Sequence, residues 1–241
     1  MHTTRYCAVG SALLVAAVLA PWRFTPVAAA TTIFSNSFDS QSAGALVTGT
    51  GANQFSGTIG ASNLSVENTT VSSAPNALAV TVGGRENAYA YTQYSTGYTN
   101  HTLTFSLQLG TDFTVPHLNY LVLAQSAPIT SSNVGKVGVI MPPDSRIRLD
   151  YFDSAGLLHY LWGSYAVPSG SWHKVELRET VGAGSGSLAL LVDGTTVASG
   201  SNLDLGTQGV TWFGVGEEHA PGNSGIAGHL YIDDVAAAST T

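Results

Sequence analysis

The sequence predicts an all-β chain folded as a two-sheet antiparallel β-sandwich. Three observations carry that prediction. First, several segments alternate apolar and polar residues with a period of two, the pattern of strands buried on one face. His101 to Leu109 is the cleanest: Leu103, Phe105, Leu107 and Leu109 point one way, and Thr102, Thr104, Ser106 and Gln108 the other. Second, Asp193-Gly194 joins two apolar runs and is a strong signal for a tight hairpin. Third, no segment beyond the first 30 residues carries a helical period. About fourteen strands at regular spacing, with no helices between them, argue a sandwich rather than a parallel α/β sheet.

The elements follow in order. Ile33 to Asp39 reads as the first strand, with Phe34, Asn36 and Phe38 on one face. Gln41 to Gly60 is rich in Gly, Ser and Thr and reads as a loop with a short strand near Phe55 to Ile59. Leu64 to Asn68 and Ala77 to Val82 are further strands, punctuated by Gly83-Gly84. In the next one Tyr89 and Tyr91 share a face, opposite Ala88, Ala90 and Thr92. Leu118 to Gln125 and Val134 to Met141 are more continuously apolar and belong near the centre of a sheet. Pro142-Pro143-Asp144 turns the chain, because consecutive prolines cannot serve a central ladder.

Arg146 to Phe152 and Leu157 to Gly163 read as a hairpin closed by Asp153-Ser-Ala-Gly156. A four-residue loop pairs Asp150 with His159 and Leu149 with Tyr160. Ile147, Leu149, Tyr151, Leu158, Tyr160 and Trp162 then face the core. Arg146, Arg148, Asp150, His159 and Leu161 take the other face. A slip of one residue would exchange the faces. Val210 to Gly216 and Gly228 to Val235 finish the domain, and Glu217 to Ile226 reads as the loop between them.

The stretch from Ser171 to Gly200 organises the rest. Trp172, Lys174, Glu176 and Arg178 alternate with His173, Val175 and Leu177. A glycine-rich turn follows, then Leu188 to Val192, Asp193-Gly194 and a returning Thr196 to Ser199. A strand opening Trp-His-Lys-Val, a second ending Val-Asp-Gly and a short return resemble the laminin-G-like, concanavalin-A-like jelly-roll superfamily of lectins and glucanases. The closing Gly228-His-Leu-Tyr-Ile-Asp-Asp-Val235 and the early Ser73-Ala-Pro-Asn-Ala-Leu-Ala-Val80 are similar to that superfamily's segments as well. Asn76 stands where Ser or Gly is usual. The resemblance covers nearly all of the chain after residue 30, and its motifs specify a fold better than an activity.

The first 30 residues read as a secretory signal peptide. Ala8 to Ala20 is an apolar run too short to span a bilayer, and Ala28-Ala29-Ala30 supplies the small residues a signal peptidase accepts. Cleavage there would leave Thr31 to Thr241 as one secreted domain. The only cysteine, Cys7, would leave with the leader, so no disulfide is expected. Loss of Arg5 and Arg23 takes the net charge from −7 to −9. With no basic cluster, nucleic acid is excluded as a partner, and highly anionic polysaccharides are disfavoured.

The resemblance implies carbohydrate binding, with a polysaccharide or glycan as partner, and a structural Ca²⁺ where the first and last strands meet. Asp39, Asn76, and Asp233 or Asp234 would supply its oxygens. Adjacent Asp233 and Asp234 point to opposite faces, so at most one is an inward ligand. On a concave sheet Arg148, Asp150 and His159 are candidate hydroxyl partners, since Arg and Asp make bidentate hydrogen bonds. Tyr89, Tyr91, Tyr94, Tyr98, Tyr165 and Trp212 are candidates for a stacking platform, with Tyr94 and Tyr98 beside a turn at Gly97 as the exposed ones. Glu217, Glu218 and His219 are further ligand contacts or acid–base groups. The E-x-D-x-x-E strand of jelly-roll glucanases and the Y-F-K-x-G-x-Y strand of alginate-lyase-like jelly rolls are both absent. The alternatives are a lyase or glycoside hydrolase of the same fold, and an adhesion module binding a cell-surface protein.

Overall fold

A computed structural model describes residues 29–83, 87–116, 121–127, 137–142, 144–219 and 225–240. The expected leader, apart from its last two residues, lies outside them, as do His117 and the 220–224 segment. Sixteen strands run in chain order among the described residues. They begin with β1 (Thr31–Asn36), β2 (Gly44–Ala45), β3 (Gly57–Ile59), β4 (Leu64–Glu67), β5 (Ala77–Gly83), β6 (Ala88–Tyr98), β7 (Asn100–Leu109) and β8 (Leu121–Ala127). They continue with β9 (Val137–Met141), β10 (Arg148–Phe152), β11 (Leu158–Leu161), β12 (Trp172–Thr180), β13 (Gly186–Val192), β14 (Thr195–Leu203), β15 (Val210–His219) and β16 (Ala227–Ser239). The two-residue β2 has no alternation that a sequence could reveal. One 3₁₀ turn, Ala61–Asn63, is the sole helical element among the described residues, and no helix there could cross a membrane.

The strands form two antiparallel sheets. One has nine strands in the order β14-β13-β12-β7-β16-β5-β4-β2, with β1 also on β16. The other has seven, in the order β11-β10-β9-β8-β15-β6-β3. In β12, Val175, Leu177 and Glu179 are buried while Lys174 and Arg178 are exposed, so period two holds along its length. In the turn before β14, Asp193 and Gly194 have φ of 50° and 77°, which matches the right-handed twist of the strands they join.

β16 is the keystone of the nine-stranded sheet. β7 pairs along one edge; β5 and then β1 share the other. The handover falls at Asp233 and Asp234, where the ladder bulges and Asp234 takes a φ of 50°.

The core between the sheets holds Phe34, Phe38, Phe55 and Phe213, with neighbouring ring centroids 5.0 to 6.3 Å apart. Each is at most 2% exposed, and burying such a side chain contributes roughly 1.5–3 kcal/mol. Toward one end the interior turns polar. Ser126 on β8 donates to Glu179 Oε2 on β12 at 2.5 Å, a hydrogen bond from one sheet to the other. Glu179 is paired across the ladder with His101, whose Nε2 lies 3.4 Å from the Tyr94 hydroxyl of the opposite sheet. Burial pushes the Glu179 carboxyl up to about 7 and the His101 imidazole down to about 4.

Candidate functional site: the outer face of the seven-stranded sheet

The β10–β11 hairpin pairs one residue away from the sequence expectation. Leu149 faces Leu161, Asp150 faces Tyr160, Tyr151 faces His159 and Phe152 faces Leu158. The cause is the turn. Asp153 N–H donates to the Leu157 carbonyl at 3.0 Å, which leaves a loop of three residues rather than four. Gly156 closes it in the left-handed region, at φ 77°. Asp153 Oδ1 also accepts the N–H groups of Ala155 and Leu157, both at 2.9 Å.

One residue of shift exchanges the faces of β11. Tyr160 and Trp162 therefore come to the outer face beside Arg148 and Asp150, and are not core: they are 49% and 65% exposed. His159 goes to the opposite side. It stacks on Tyr151 at 4.9 Å and its Nε2 lies 2.8 Å from Asp153 Oδ2. The expected trio of Arg148, Asp150 and His159 is thus a pair.

Arg148 donates through Nε and Nη2 to the two Asp150 oxygens at 2.7 and 2.9 Å. Its guanidinium carbon sits 4.9 Å from the Tyr160 ring centre and 4.7 Å from that of Trp162. Under these rings Arg148 and Asp150 are 9% and 8% exposed. Burial raises the Asp150 carboxyl above its ordinary value, and the Arg148 hydrogen bonds and charge oppose that rise.

From Asp150 a row runs straight across the sheet. Asp150 faces Gly138 on β9, Gly138 faces Gln125 on β8, and Gln125 faces Gly214 on β15. Gly214 faces Tyr91 on β6, and Tyr91 faces Gly57 on β3. Directly paired residues share a face. The row one residue along, Leu149, Val139, Ala124, Val215 and Ala90, is buried at 2% exposure or less and lines the core.

The glycines of the outer row hold space for rings. A Cβ at Gly214 would come within 2.7 Å of Trp212 Cη2, so the indole lies over that glycine. A Cβ at Gly57 would come within 2.5 Å of the Tyr91 hydroxyl. Tyr91 and Trp212 stack at 6.0 Å with 26° between their planes, and Tyr89 meets Trp212 edge-on at 6.1 Å. Three aromatics thus lie along the sheet at one end of the row, and Tyr160 and Trp162 stand at the other. Five strand spacings, roughly 24 Å, separate β11 from β6.

The acids expected in a loop belong to β15. Glu217 faces Ala88 and is fully buried on the inner side. Glu218 points outward and accepts a hydrogen bond from Gln125 Nε2. Burial, and then the Glu218 charge, raise the Tyr89 phenol above its ordinary value. His219 pairs with Leu121 in the ladder.

Tyr94 and Tyr98 do not join this face. Tyr94 has the parity of Ala88, Ala90 and Thr92 and packs against the core, 5.9 Å from Phe213. Tyr98 meets it edge-on at 5.1 Å. Burial raises the Tyr94 phenol well above its ordinary value.

The four residues expected at a calcium site gather around the Ser72–Asn76 turn. Asp39 Oδ1 accepts the Asn76 N–H at 3.2 Å, and Asn76 Nδ2 donates to the Gln41 carbonyl at 2.8 Å. Asp39 Oδ2 also accepts the Ser37 hydroxyl at 2.9 Å. Carboxylate, side-chain amide and main-chain carbonyl are the oxygen donor types calcium takes, and Asp39, Asn76 and the Gln41 carbonyl bring one of each, engaged with one another. Asp233 is engaged elsewhere. Its Oδ2 accepts the N–H groups of Ser72 and Ser73 at 3.0 and 2.9 Å, and its Oδ1 that of Asp234 at 2.7 Å. Burial pushes its carboxyl up to about 6. Asp234 accepts the Ser73 hydroxyl at 2.7 Å. Among the described residues no three of His, Cys, Asp and Glu cluster as a metal site.

No protein-family model matches the chain, and neither does any curated protein. Solved structures do. Cellulose induced protein, Cip1, is similar at 16% identity and a TM-score of 0.58, over 86% of this chain and 97% of that one. The fold is the concanavalin-A-like jelly roll. An endo-1,3-beta-glucanase from Streptomyces sioyaensis matches at 11% identity and a TM-score of 0.55, over 90% and 99% of the two chains. The binding domain of Botulinum Neurotoxin DC in complex with SialylT matches at 11% identity and a TM-score of 0.52, over 73% of this chain. This jelly roll spans 41% of that chain's length. Structures of this fold therefore include both a binding domain and a glucanase.

Sequence reasoning singled out Arg148, Asp150 and Glu218, and named Tyr89, Tyr91 and Trp212 within a wider set. It missed Tyr160 and Trp162, taken as core, and Gln125, taken as the end of an apolar strand. A polar amide closing the apolar Leu121–Ala124 run was the available signal for Gln125.

Proposed function

We propose that this chain is a carbohydrate-binding domain whose ligand lies along the outer face of the seven-stranded sheet. One observation carries the reading: aromatics stand at both ends of a row floored by Gly138 and Gly214, exposed at Tyr160 and Trp162 and half-buried at Tyr89, Tyr91 and Trp212, with the Arg148–Asp150 pair beside the first. Aromatic faces cover the apolar faces of sugar rings, and charged hydrogen-bonding groups between them meet hydroxyls. The neighbours of this fold that act on or bind glycans support the same reading. In this proposal the chain works outside the cell after losing residues 1–30. A calcium ion would be held by Asp39, Asn76 and the Gln41 carbonyl, away from the glycan.

Affinity electrophoresis tests it, with native gels containing a panel of soluble polysaccharides and slices assayed for newly released chain ends. Retardation by one polysaccharide with no product supports the binding domain. Released ends would make the protein a hydrolase or lyase, with Asp150 and Glu218 the first residues to replace. Absence of retardation across the panel would overturn the reading and favour a protein partner.

A further inference from the structure

β11 is the last strand of the seven-stranded sheet, and no strand among the described residues pairs with its free edge. Its main chain is open there. Asp153 N–H donates to the Leu157 carbonyl, so Tyr151–His159 and Leu149–Leu161 are the hydrogen-bonded pairs of the hairpin. The alternate residues, Leu158 and Tyr160, turn their N–H and C=O groups away from β10, toward that edge. Sheet edges are usually protected by charge, proline or a bulge. Leu157 to Ser164 holds no carboxylate, lysine, arginine or proline, and the β10–β11 register runs without a shift. By contrast β14, at the edge of the other sheet, carries two register shifts. Apolar surface gathers at the same place. Six large hydrophobic side chains are exposed among the described residues, and four of them are Leu157, Leu158, Tyr160 and Trp162.

We propose that β11 pairs with β11 of a second copy of this chain, antiparallel about a two-fold axis at Tyr160. Seven strands from each copy then form one continuous sheet. A two-fold contact sets one patch against itself. With Tyr160 opposite the partner's Tyr160, Leu158 lies opposite the partner's Trp162, and directly paired residues share the outer face. Each chain has a net charge of −7, so two copies repel over most of their surface, and this uncharged stretch is where they meet without like charges opposed. The four side chains present roughly 500 Å² per copy, below the roughly 800 Å² of a standard interface, so the pair is reversible. Tyr160 is also the residue that faces Asp150. This register therefore carries the row from Tyr91 to Asp150 straight into the partner's row, and the joined sheet is roughly 60 Å across. The dimer does not rest on the carbohydrate-binding reading; the joined row extends it.

The test traps the register with single cysteines in the full chain carrying Cys7→Ser, which removes the only native thiol. Opposed residues of a hydrogen-bonded antiparallel pair have Cα atoms about 5.5 Å apart, within the span of a disulfide. Under mild oxidation Tyr160→Cys should form a covalent dimer about tenfold faster than Thr81→Cys, an exposed position on the nine-stranded sheet. Leu158→Cys and Trp162→Cys should each cross-link slowly alone and fast when mixed. Sedimentation velocity of the unaltered chain between about 10 μM and about 1 mM should show a monomer–dimer equilibrium. Leu158→Lys puts a charge on the edge and should leave the monomer. Cross-linking of Tyr160→Cys no faster than Thr81→Cys, or an unaltered chain that stays monomeric throughout, overturns the dimer. Fast cross-linking of Leu158→Cys alone overturns the register and with it the joined row. Glycan binding reports separately: a monomer retarded by a polysaccharide leaves the binding reading standing while the dimer falls, and a dimer retarded by none does the reverse.

Discussion

Arg148 and Asp150 stand two residues apart on β10 and clasp each other with hydrogen bonds of 2.7 and 2.9 Å on the outer face of a sheet. Neither reaches far into solvent, because Tyr160 and Trp162 lie over the guanidinium. Asp150→Ala should therefore destabilise the fold as well as the site. It leaves a nearly buried cation without its partner, at a cost of about 3 kcal/mol. Urea denaturation should show the loss in the midpoint with an unchanged slope. A stability within about 0.5 kcal/mol of the parent would mean that Arg148 finds water instead.

Trp162→Ala separates binding from folding. Trp162 is 65% exposed and covers little core, so stability should fall by less than about 1 kcal/mol. Glycan affinity should fall about tenfold, which is roughly 1.4 kcal/mol. Titration with the bound polysaccharide measures the second, and a thermal melt the first.

Gly214→Ala tests whether the indole must lie flat. The new Cβ would meet Trp212 Cη2 at 2.7 Å, and the ring can move where backbone could not. We expect altered tryptophan fluorescence and near-ultraviolet circular dichroism, a modest stability change, and affinity reduced several-fold. Unchanged affinity with a displaced ring would remove Trp212 from the platform.

Stability should depend on pH through the interior. The folded Glu179 carboxyl sits at about 7, above its ordinary 4.5, so its neutral form is the one the core tolerates. Its contribution is fully present below about pH 4.5 and is lost as pH rises through about 7. Asp233, raised from 3.8 to about 6, acts in the same direction over a lower window. His101 opposes them: its folded value of about 4 lies below 6.5, so its contribution is lost as pH falls through about 4. Glu179→Gln should flatten the decline in melting temperature between pH 5 and pH 8. A decline of the parent's steepness in that variant would assign the effect to other groups.

Calcium should raise the melting temperature over that in chelator, and Asp39→Ala should remove the difference. An ion at 100 times its dissociation constant stabilises by about 2.7 kcal/mol. Identical melts of the parent with and without calcium would exclude an ion bound between Asp39 and Asn76.

Much of the sandwich is legible in the chain because burial on one face writes itself locally. Leu103, Phe105, Leu107 and Leu109 are each at most 1% exposed, as their alternation implies. The inward parity of Ala88, Ala90 and Thr92 follows the same rule and carries Tyr94 with it. The hairpin at Asp193-Gly194 is local too, since its backbone twist depends on two residues. Glu217 and Glu218 were hidden for a different reason. Polar residues at the end of an apolar strand read as a loop, yet Ala88 and Gln125 of neighbouring strands give each a place in the sheet.

The amino-acid order by itself determined which segments are strands and, for most, which residues face the core, because a side-chain period of two needs no partner. Tertiary structure alone decided the site. Whether Tyr160 and Trp162 look inward or outward turned on a single loop residue, through Asp153 closing on Leu157 and Gly156 entering the left-handed region. The line from Asp150 through Gly138, Gln125 and Gly214 to Tyr91 crosses five strands from three parts of the chain: the consecutive β8, β9 and β10, distant β15, and β6. Its existence depends on four pairing registers at once, and register between distant strands is set by packing and turn geometry rather than by any one segment.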